Sequence, residues 1–453
     1  MKIQLSDHFT GGRLARFVIP SIIMMVFTSI YGVVDGFFVS NYAGKTAFAA
    51  VNLIMPFIMI LGTLGFMIGT GGTALVSKTM GEGDSRRANA LFSMLVYSVI
   101  ILGVIFASCG ELALPQISRL LGADEEMLPF CVTYGRIALL SVTCFMLQNV
   151  FQSFLVAAEK PKLGLAVTIC AGVFNMVLDY LFVGVFDWGV AGAAAATAVA
   201  ETVGGVVPLI YFITPNNSTL RLGRPSKEIF AFFSACGNGI SELMTNVSMS
   251  LVNMVYNYKL IEYYGQNGVA AYGVIMYVNF VFVSIFIGYS IGVAPIVGFN
   301  FGAKNESELN NILKKSLVFI IFTGAVMFAS SRLASGVLSS FFAGYDNSLK
   351  ELIRSAFVIF SLSYLFCGFN IFASSFFTAL NNGIVSGVIS LSRTFVFQLI
   401  CVLILPGIFG RETIWYSISI AEILSLCVSA AFLLTQNKKY GYLTRLLKGS
   451  KRL

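Results

Sequence analysis

The chain has 453 residues, of which 57% are hydrophobic and only 11% are charged, and its mean hydropathy is +0.85. An ordinary soluble domain carries about 25% charged residues, and a soluble core could not bury this much apolar side chain. A water-soluble globular protein is therefore excluded. The net charge of +8 could suggest nucleic-acid binding, but its meaning depends on where the basic residues lie relative to the membrane. We do not expect nucleic-acid binding.

Apolar runs of about 20 residues, long enough to cross a bilayer as a helix, recur along the chain. The runs are continuous and do not alternate, which favours helices over the strands of a barrel. We predict an all-α integral membrane protein with twelve transmembrane helices. The predicted spans lie near 15–40, 47–78, 89–112, 131–158, 162–185, 189–214, 229–262, 267–300, 312–335, 353–380, 384–407 and 412–435.

The distribution of Lys and Arg predicts the orientation. An even number of spans places both termini on one side, and most basic residues fall in inner segments if that side is the cytoplasm. The first sixteen residues are polar and lead into no short apolar run with a cleavage site, so no cleaved signal peptide is expected. The basic tail, 438–453, is expected to lie against anionic lipid.

The two halves of the chain repeat each other at an offset of 221 residues. Three pairs of segments match in order at this offset, namely 49–55 with 270–276, 73–84 with 294–305, and 149–158 with 370–379. The offset spans six predicted helices, so the repeats are parallel and related by an axis along the membrane normal. Two six-helix lobes that face each other across a cleft are typical of transporters that work by alternating access.

The polar stretch "TPNNSTLRLGRPSKE" separates the two halves. We therefore predict an N-terminal lobe at 1–215 that carries a cation site, a connecting loop at 216–228 on the inner side, and a C-terminal lobe at 229–437. The basic tail at 438–453 follows.

Two carboxylates lie deep in the first and fifth spans. Asp35 is ~18 residues into its span and Asp179 ~17, or roughly 27 and 25 Å from the inner edge. Intramembrane carboxylates are rare and indicate function by default. Each has a polar neighbour one turn away on the same helical face, Tyr31 before Asp35 and Asn175 before Asp179.

Thr197 in the sixth span lies at a similar depth, and Asn149 in the fourth lies somewhat deeper. Carboxylate, amide and hydroxyl oxygens of these residues could bind Na⁺. The predicted Na⁺ ligands are Asp35, Asp179, Asn175 and Thr197. The two carboxylates could instead share a proton, because like charges buried together do not both persist. The predicted coupling site for H⁺ or Na⁺ therefore comprises Asp35, Asp179, Asn175, Tyr31, Thr197 and Asn149.

The second half lacks this pair, since the offset carries Asp35 to Tyr256 and Asp179 to Ile400. A cation site confined to the N-terminal lobe is the expectation. Arg136 is the buried cation of that lobe and could instead pair with one of the two aspartates.

Three further carboxylates lie inside predicted spans, namely Glu201, Glu242 and Glu422. Glu201 and Glu422 each lie in the middle part of an even-numbered span. Glu242, near the start of the seventh span, would be stabilised there by the helix dipole. Glu422 is expected to pair with Arg393.

Substrate contacts are predicted in the seventh and eighth spans, where Asn, Met and Tyr side chains interleave. Met and aromatic side chains adapt to varied apolar cations. The candidates for the substrate cavity are Asn253, Asn257, Met276, Tyr277 and Asn279.

Over its whole length the chain resembles the multidrug and toxic compound extrusion (MATE) family, most of all its MepA-like bacterial branch. The first span, "IPSIIMMVFTSIYGVVDGFFV", carries this resemblance together with "GTGGTALVSKTMGEGD" in the second and "NMVLDYLF" in the fifth. The small-residue segment "GVAGAAAATAVAETVG" and "GYSIGVAPIVGFNFGAKN" add to it.

The resemblance implies the MATE/MOP fold, a bacterial-type inner membrane, and export of organic, often cationic, compounds in exchange for H⁺ or Na⁺. It implies a cation site built from an Asp on the first helix and Asn-x-x-x-Asp on the fifth, which match Asp35, Asn175 and Asp179. Another branch has acids in the seventh and tenth spans, whereas the tenth span here has Asn370 and no acid.

Other functions stay open at this point. A lipid-linked saccharide flippase of the same superfamily is the alternative, although such flippases tend to have two extra helices and a cationic cavity. An enzyme lacks a credible catalytic set, and a channel would not need a carboxylate pair in one lobe. We expect no cofactor besides the coupling ion, small-molecule drugs and the bilayer as partners, and a monomer.

Overall fold

The computed structural model describes residues 3–42, 45–344 and 346–443, and these residues are almost entirely helical, with no β-strand among them. Residues 444–453, which make up most of the predicted basic tail, lie outside this part of the chain. The helices are α1 Gly11–Tyr42, α2 Lys45–Gly81, α3 Ser85–Leu120, α4 Leu128–Ala157, α5 Pro161–Asp179, α6 Gly189–Ile213, α7 Ile229–Asn238, α8 Ile240–Gly302, α9 Glu306–Ala343, α10 Asn347–Phe360, α11 Tyr364–Ala379, α12 Gly383–Leu391, α13 Phe397–Phe409, α14 Ser417–Thr435 and α15 Asn437–Tyr440.

Eleven helical segments of the described residues are long and apolar enough to cross a membrane, and α8 contributes two crossings. Its 63 residues would extend about 95 Å as one helix, three times the ~30 Å of a bilayer core. Gly265 interrupts it with φ 62° and ψ −149°, a conformation open essentially to glycine alone. The break falls between the seventh and eighth predicted spans, so the predicted architecture of twelve crossings is confirmed.

Two crossings contain widened, π-helical turns that the sequence pattern did not predict. One, Tyr180–Val185, begins directly after Asp179, and the other, Ser392–Val396, contains Arg393. Such turns inside α-helices are rare and frequently occur at functional sites. One of these turns therefore lies next to the charged residue of the fifth crossing, and the other contains the charged residue of the eleventh.

The internal repeat is visible in the backbone. Asp84 and Asn305, which are 221 residues apart, both cap a helix N-terminus with the side chain, with φ, ψ of −94°, 74° and −89°, 75°. The residues before them, Gly83 and Lys304, both have positive φ. Equivalent turns therefore join equivalent helices in the two halves.

Helices α1–α6 form one lobe, the N-lobe, and α8–α14 form the other, the C-lobe, with the α1 and α2 helices of the first packed against α8 of the second. Ala235 of α7 packs into the apolar core of the N-lobe, so this short helix lies between the lobes. The loop before it also packs on the N-lobe, since Ser226 N donates to Ala90 O and Gly223 N donates to Ser93 Oγ.

Helix α2 of the N-lobe and α8 of the C-lobe approach each other closely through glycines. A Cβ on Gly81 would lie 2.0 Å from the carbonyl oxygen of Phe299, and one on Gly302 would lie 2.0 Å from that of Lys78. Only glycine allows backbones to approach this closely.

Both described chain ends lie at the same end of the molecule, which we call the terminal end. The backbone N–H of Phe9 donates to Glu308 Oε1 at 2.9 Å, and Asn310, two residues further on α9, donates to the carbonyl of Tyr442 at 2.6 Å. Tyr442 is fully buried, so the first residues of the predicted tail pack beneath the C-lobe.

Candidate functional site

The structure brings together four of the side chains predicted to form the cation site. Thr197 on α6 stands between the other helices, because its hydroxyl donates to Asp35 Oδ1 at 3.4 Å and accepts from Asn175 Nδ2 at 3.5 Å. Asp179, one turn beyond Asn175 on α5, is close enough to Asp35 for their carboxylates to interact electrostatically. The i, i+4 spacing on α5 puts both polar side chains on one face.

Asp179 is the most isolated member of this group. It is 0% exposed, and no donor among the described residues lies within hydrogen-bonding distance of either carboxylate oxygen. The oxygen Oδ1 of Asn175 is buried and unpartnered in the same way. Buried polar atoms without partners are costly, so a proton or a cation bound among these oxygens would stabilise the site.

Tyr31 faces the same region from α1. Its hydroxyl lies near Gln148 of α4 and is within electrostatic range of Asp35 and Glu201. Asn149, the predicted contributor from α4, donates instead to the carbonyl of Gly62 on α2 at 3.1 Å. Adjacent helical residues point in different directions, so the α4 side chain that meets Tyr31 is Gln148, and a role for Asn149 at the cation site stays a prediction.

Glu201 and Gln148 were not among the predicted site residues. Glu201 lies four residues after Thr197 on α6, accepts a 2.6 Å hydrogen bond from Ser141, and is within electrostatic range of Asp35. Its spacing from Thr197 was the available signal, because residues i and i+4 share a helical face. Gln148 gave no such signal, since its importance depends on which side of α4 faces α1.

The charge of the site is not balanced by the nearby arginine. The guanidinium of Arg136 lies 3.5 Å from Glu111, a contact on the exposed side of the lobe. Among the described residues, the ion pairs include neither Asp35, Asp179 nor Glu201. The alternative in which Arg136 neutralises one aspartate is therefore not what the structure shows.

In the C-lobe, the buried carboxylate of Glu422 is neutralised by an arginine. Arg393 Nε lies 2.8 Å from Glu422 Oε1, and Asn370 donates to Oε2 at 2.7 Å, so the predicted pairing is confirmed. Glu242 lies in the first turn of α8, as expected. Within the part of the chain that the structure describes, the groups that interact with Glu422 and Glu242 include Arg393 and no second carboxylate.

The predicted substrate-cavity residues all lie on α8, on both sides of the break. Asn253 accepts a 2.7 Å hydrogen bond from Tyr272, which ties the two halves of α8 together. Met276 packs against the C-lobe core, while the side chain of Tyr277 is exposed. Asn257 and Asn279 are half-buried. These five side chains form no single hydrogen-bonded group among the described residues, and their contact with substrate stays a prediction.

Two parallel, repeated bundles of membrane-spanning helices, with an acidic site in only one, define a secondary transporter. A family model confirms this assignment independently, because the MatE model matches twice, at residues 20–181 and 242–404. The chain belongs to the MatE family, and the resemblance noted in the sequence is confirmed. The two matches begin 222 residues apart and correspond to the two halves of the repeat.

Individual relatives span nearly the whole chain. It is 26% identical to the multidrug export protein MepA of Staphylococcus saprophyticus over 95% of this chain and 94% of that protein. Among solved structures, a MATE protein in complex with MaL6 superposes with a TM-score of 0.90 at 21% identity, covering 97% of this chain and 98% of that one. An outward-facing multidrug resistance MATE transporter of the MOP superfamily gives 0.89 at 21% identity, with the same coverage. The structural likeness confirms the predicted fold.

Proposed function

We propose that this protein is a secondary-active multidrug efflux antiporter, which exports organic, often cationic, compounds in exchange for H⁺ or Na⁺ by alternating access. The relatives named as multidrug export proteins support the export of drugs. The observation that carries the coupling is the carboxylate pair of the N-lobe, a buried Asp179 and a half-buried Asp35, with no cationic partner among the described residues. Such a pair needs a cation or proton to neutralise it.

The donor set suits either coupling ion. Na⁺ prefers hard oxygen ligands, and the unpartnered oxygens of Asp179 and Asn175 would supply them together with Asp35 and Thr197. A proton shared between the two aspartates would relieve their repulsion without further ligands. In both cases ion binding and drug binding are linked, so each must change the affinity for the other by the same factor.

Alternating access follows from the arrangement of the lobes. The close glycine contacts of Gly81 and Gly302 join the lobes, and a rocking motion would have to separate them to open this part of the cleft. Loading of the carboxylate pair in one lobe changes the charge that this lobe presents to the cleft. That change can favour one orientation over the other to the extent that the ion binds the two states differently.

We further propose a bacterial-type inner membrane location with both termini in the cytoplasm, and a monomer as the working unit. The shared position of the two described chain ends supports the placement of both termini on one side of the membrane. Labelling of single cysteines placed near each end with an impermeant reagent, in intact and in permeabilised cells, tests the orientation.

A flippase for lipid-linked saccharides is the competing transport function, and neither it nor an enzymatic activity is favoured by an observation here. A pyrophosphate-bearing lipid needs a cationic cavity. The group described above is acidic instead, because Glu201 lies near the Asp35–Asp179 pair.

The test is efflux of a fluorescent cationic dye from proteoliposomes under an imposed H⁺ gradient and, separately, an imposed Na⁺ gradient. We expect one gradient to drive efflux in the wild type and neither to do so in Asp35→Asn or Asp179→Asn. Asp187→Asn is the matched control, since Asp187 is exposed and has a positive φ of 54°, which Asn tolerates. Efflux that ignores both gradients or survives both mutations would refute the proposal.

A further inference from the structure

Below the carboxylate pair, toward the terminal end, the N-lobe contains a line of polar groups that the coupling site does not use, the first of them half-buried and the others buried. We call it the polar column and define it as Glu201, Ser141, Gln148, Gln152 and Thr168. Its first member, Glu201, lies one helical turn from Thr197 and within electrostatic range of Asp35. Ser141 holds the carboxylate in place with a 2.6 Å hydrogen bond.

The directions of the helices give the column its order. Helix α4 starts at the end of the molecule opposite the terminal end and runs toward the terminal end through Ser141, Gln148 and Gln152. On α5, which runs in the opposite direction, Thr168 lies two turns before Asn175. The column therefore continues from the depth of the aspartates toward the predicted cytoplasmic side.

The middle of the column depends on a glycine. A Cβ on Gly204, which lies three residues after Glu201 on α6, would be 2.7 Å from Cδ of Gln148. Gln148 is 6% exposed, and its Oε1 has no donor among the described residues. This unpartnered oxygen points to a small bound donor, for which water is the simplest candidate.

Space for such a donor exists next to it. Gln148, Gln152, Thr168 and Gly204 line a small cavity, with room for about one water molecule. Two glutamines and a threonine line one side of the cavity, and the rest of its lining is largely apolar, with Met24, Phe151, Leu155, Val167 and Pro208. A proton can move between a carboxylate and a single water held on the polar side.

We propose that Glu201 is a proton relay of the N-lobe, which takes a proton from the Asp35–Asp179 pair and releases it through the cavity beside Gln148 toward the terminal end. In this step the O–H bond of the protonated aspartate breaks and one forms on Glu201, so that the negative charge moves to the pair. Glu201 then loses the same proton to the water that Gln148 orients. The inference rests on the proposed coupling at Asp35 and Asp179, and it assigns H⁺ as the coupling ion.

The groups that face Glu201 agree with this role. Asp35 and Tyr31 on α1 lie within electrostatic range of it, as do Tyr134 and Cys144 on α4. Ser141 on α4 donates a hydrogen bond to it. None of these side chains is a cation, and among the described residues no ion pair holds Glu201 permanently charged. It is free to gain and lose a proton as the pair does.

The experiment compares the wild type with Glu201→Gln, Glu201→Asp and the control Glu111→Gln in proteoliposomes loaded with a fluorescent cationic dye. We expect Glu201→Gln to slow H⁺-driven efflux about 100-fold, the scale of a lost proton-transfer group. Dye affinity and dye–dye exchange at equal pH, which move no net proton, are expected to stay at the wild-type level. Glu201→Asp is expected to recover most of the rate, and Glu111→Gln to behave as wild type.

The outcomes separate this inference from the coupling proposal. If efflux ignores both gradients, or survives both Asp35→Asn and Asp179→Asn, the coupling proposal fails and the relay fails with it. If a Na⁺ gradient alone drives efflux in the wild type, the coupling proposal stands and only the relay is overturned. If both aspartate variants lose efflux while Glu201→Gln keeps the wild-type rate, only the relay is overturned. Should Glu201→Gln not fold, Ser141→Ala replaces it: slower H⁺-driven efflux with unchanged dye exchange supports the relay, and unchanged efflux overturns it.

Discussion

Arg393 and Glu422 form a buried ion pair in the C-lobe, in which Nε of the arginine lies 2.8 and 3.1 Å from the two carboxylate oxygens. The side chain of Glu422 is 2% exposed and that of Arg393 is 14% exposed. Asn370 donates to Glu422 Oε2 and accepts from Ser429 at 2.9 Å. The C-lobe carboxylate is thereby neutralised within the fold, whereas the aspartates of the N-lobe are not.

Removal of one partner of this pair should destabilise the protein more than it impairs coupling. Arg393→Gln leaves the Glu422 carboxylate buried with Asn370 as its partner, and breaking a buried pair in this way costs about 3–5 kcal/mol. We expect a clearly lower unfolding temperature in detergent. A C-lobe coupling site would instead show normal stability and lost efflux, and that result would contradict our assignment.

The hydroxyl of Thr197 should contribute to the affinity for the coupling ion. Thr197→Val keeps the shape of the side chain but removes the groups that donate to Asp35 and accept from Asn175. Loss of hydrogen bonds worth about 1 kcal/mol each should weaken ion binding by roughly tenfold. The measurement is the ion concentration for half-maximal dye efflux, and Thr197→Ser, which keeps the hydroxyl, should stay near the wild type.

The contact between α2 and the end of α7 at Gly71 should not tolerate a methyl group. In Gly71→Ala the new Cβ would lie 2.0 Å from the Ala235 carbonyl and 2.5 Å from Gly239 N, so α2 must separate from α7. Overpacking of this kind costs about 1–3 kcal/mol. Maleimide labelling of Cys236 on α7, followed by mass spectrometry, should increase. Gly237→Ala, whose Cβ meets nothing within 4 Å, is the control, and equal labelling in both variants would show that this contact does not hold α7 against α2.

The N-terminal segment should be held in place by Glu308. Its carboxylate, 5% exposed, accepts from Phe9 N at 2.9 Å and lies 2.7 Å from His8 Nδ1. In Glu308→Ala these bonds are lost, and hydrogen exchange of the amides at residues 3–10 should become several-fold faster. The exposed Lys314 on the same helix provides the control Lys314→Ala. Unchanged exchange in Glu308→Ala would mean that the buried Leu5 and Phe9 side chains suffice.

A small acid dependence of stability should arise from the connecting loop. The guanidinium of Arg87, 2.8 Å from Glu228, lowers the pKa of that carboxyl below its ordinary value of 4.5. Because the folded state favours the charged form, the stabilisation is present above pH 4.5 and is lost as the pH falls through the lowered pKa. Both groups are nearly half exposed, so the effect is below about 1 kcal/mol. Unfolding temperatures of Glu228→Gln and the wild type should converge in acid, and a constant difference down to pH 3 would contradict this.

Much of the candidate site was predictable from spacing along single helices. Tyr31 with Asp35 and Asn175 with Asp179 are i, i+4 pairs, and such pairs share a face in every helix. The choice between Asn149 and Gln148 was not predictable in this way. It depends on the rotation of α4 relative to α1 and α2, which is fixed by packing between helices and leaves no local pattern.

The sequence by itself determined that this is a membrane protein, that it has twelve crossings, and that its two halves repeat. These properties follow from hydrophobic length and from an offset along the chain, both of which are one-dimensional. Only the tertiary structure decided whether the N-lobe aspartates are neutralised, since Arg136 meets Glu111 while Asp179 meets no donor among the described residues. The physical reason is that the electrostatic stabilisation of a buried charged group comes mainly from the few atoms within about 4 Å of it. In this protein those atoms come from helices that are far apart in the chain.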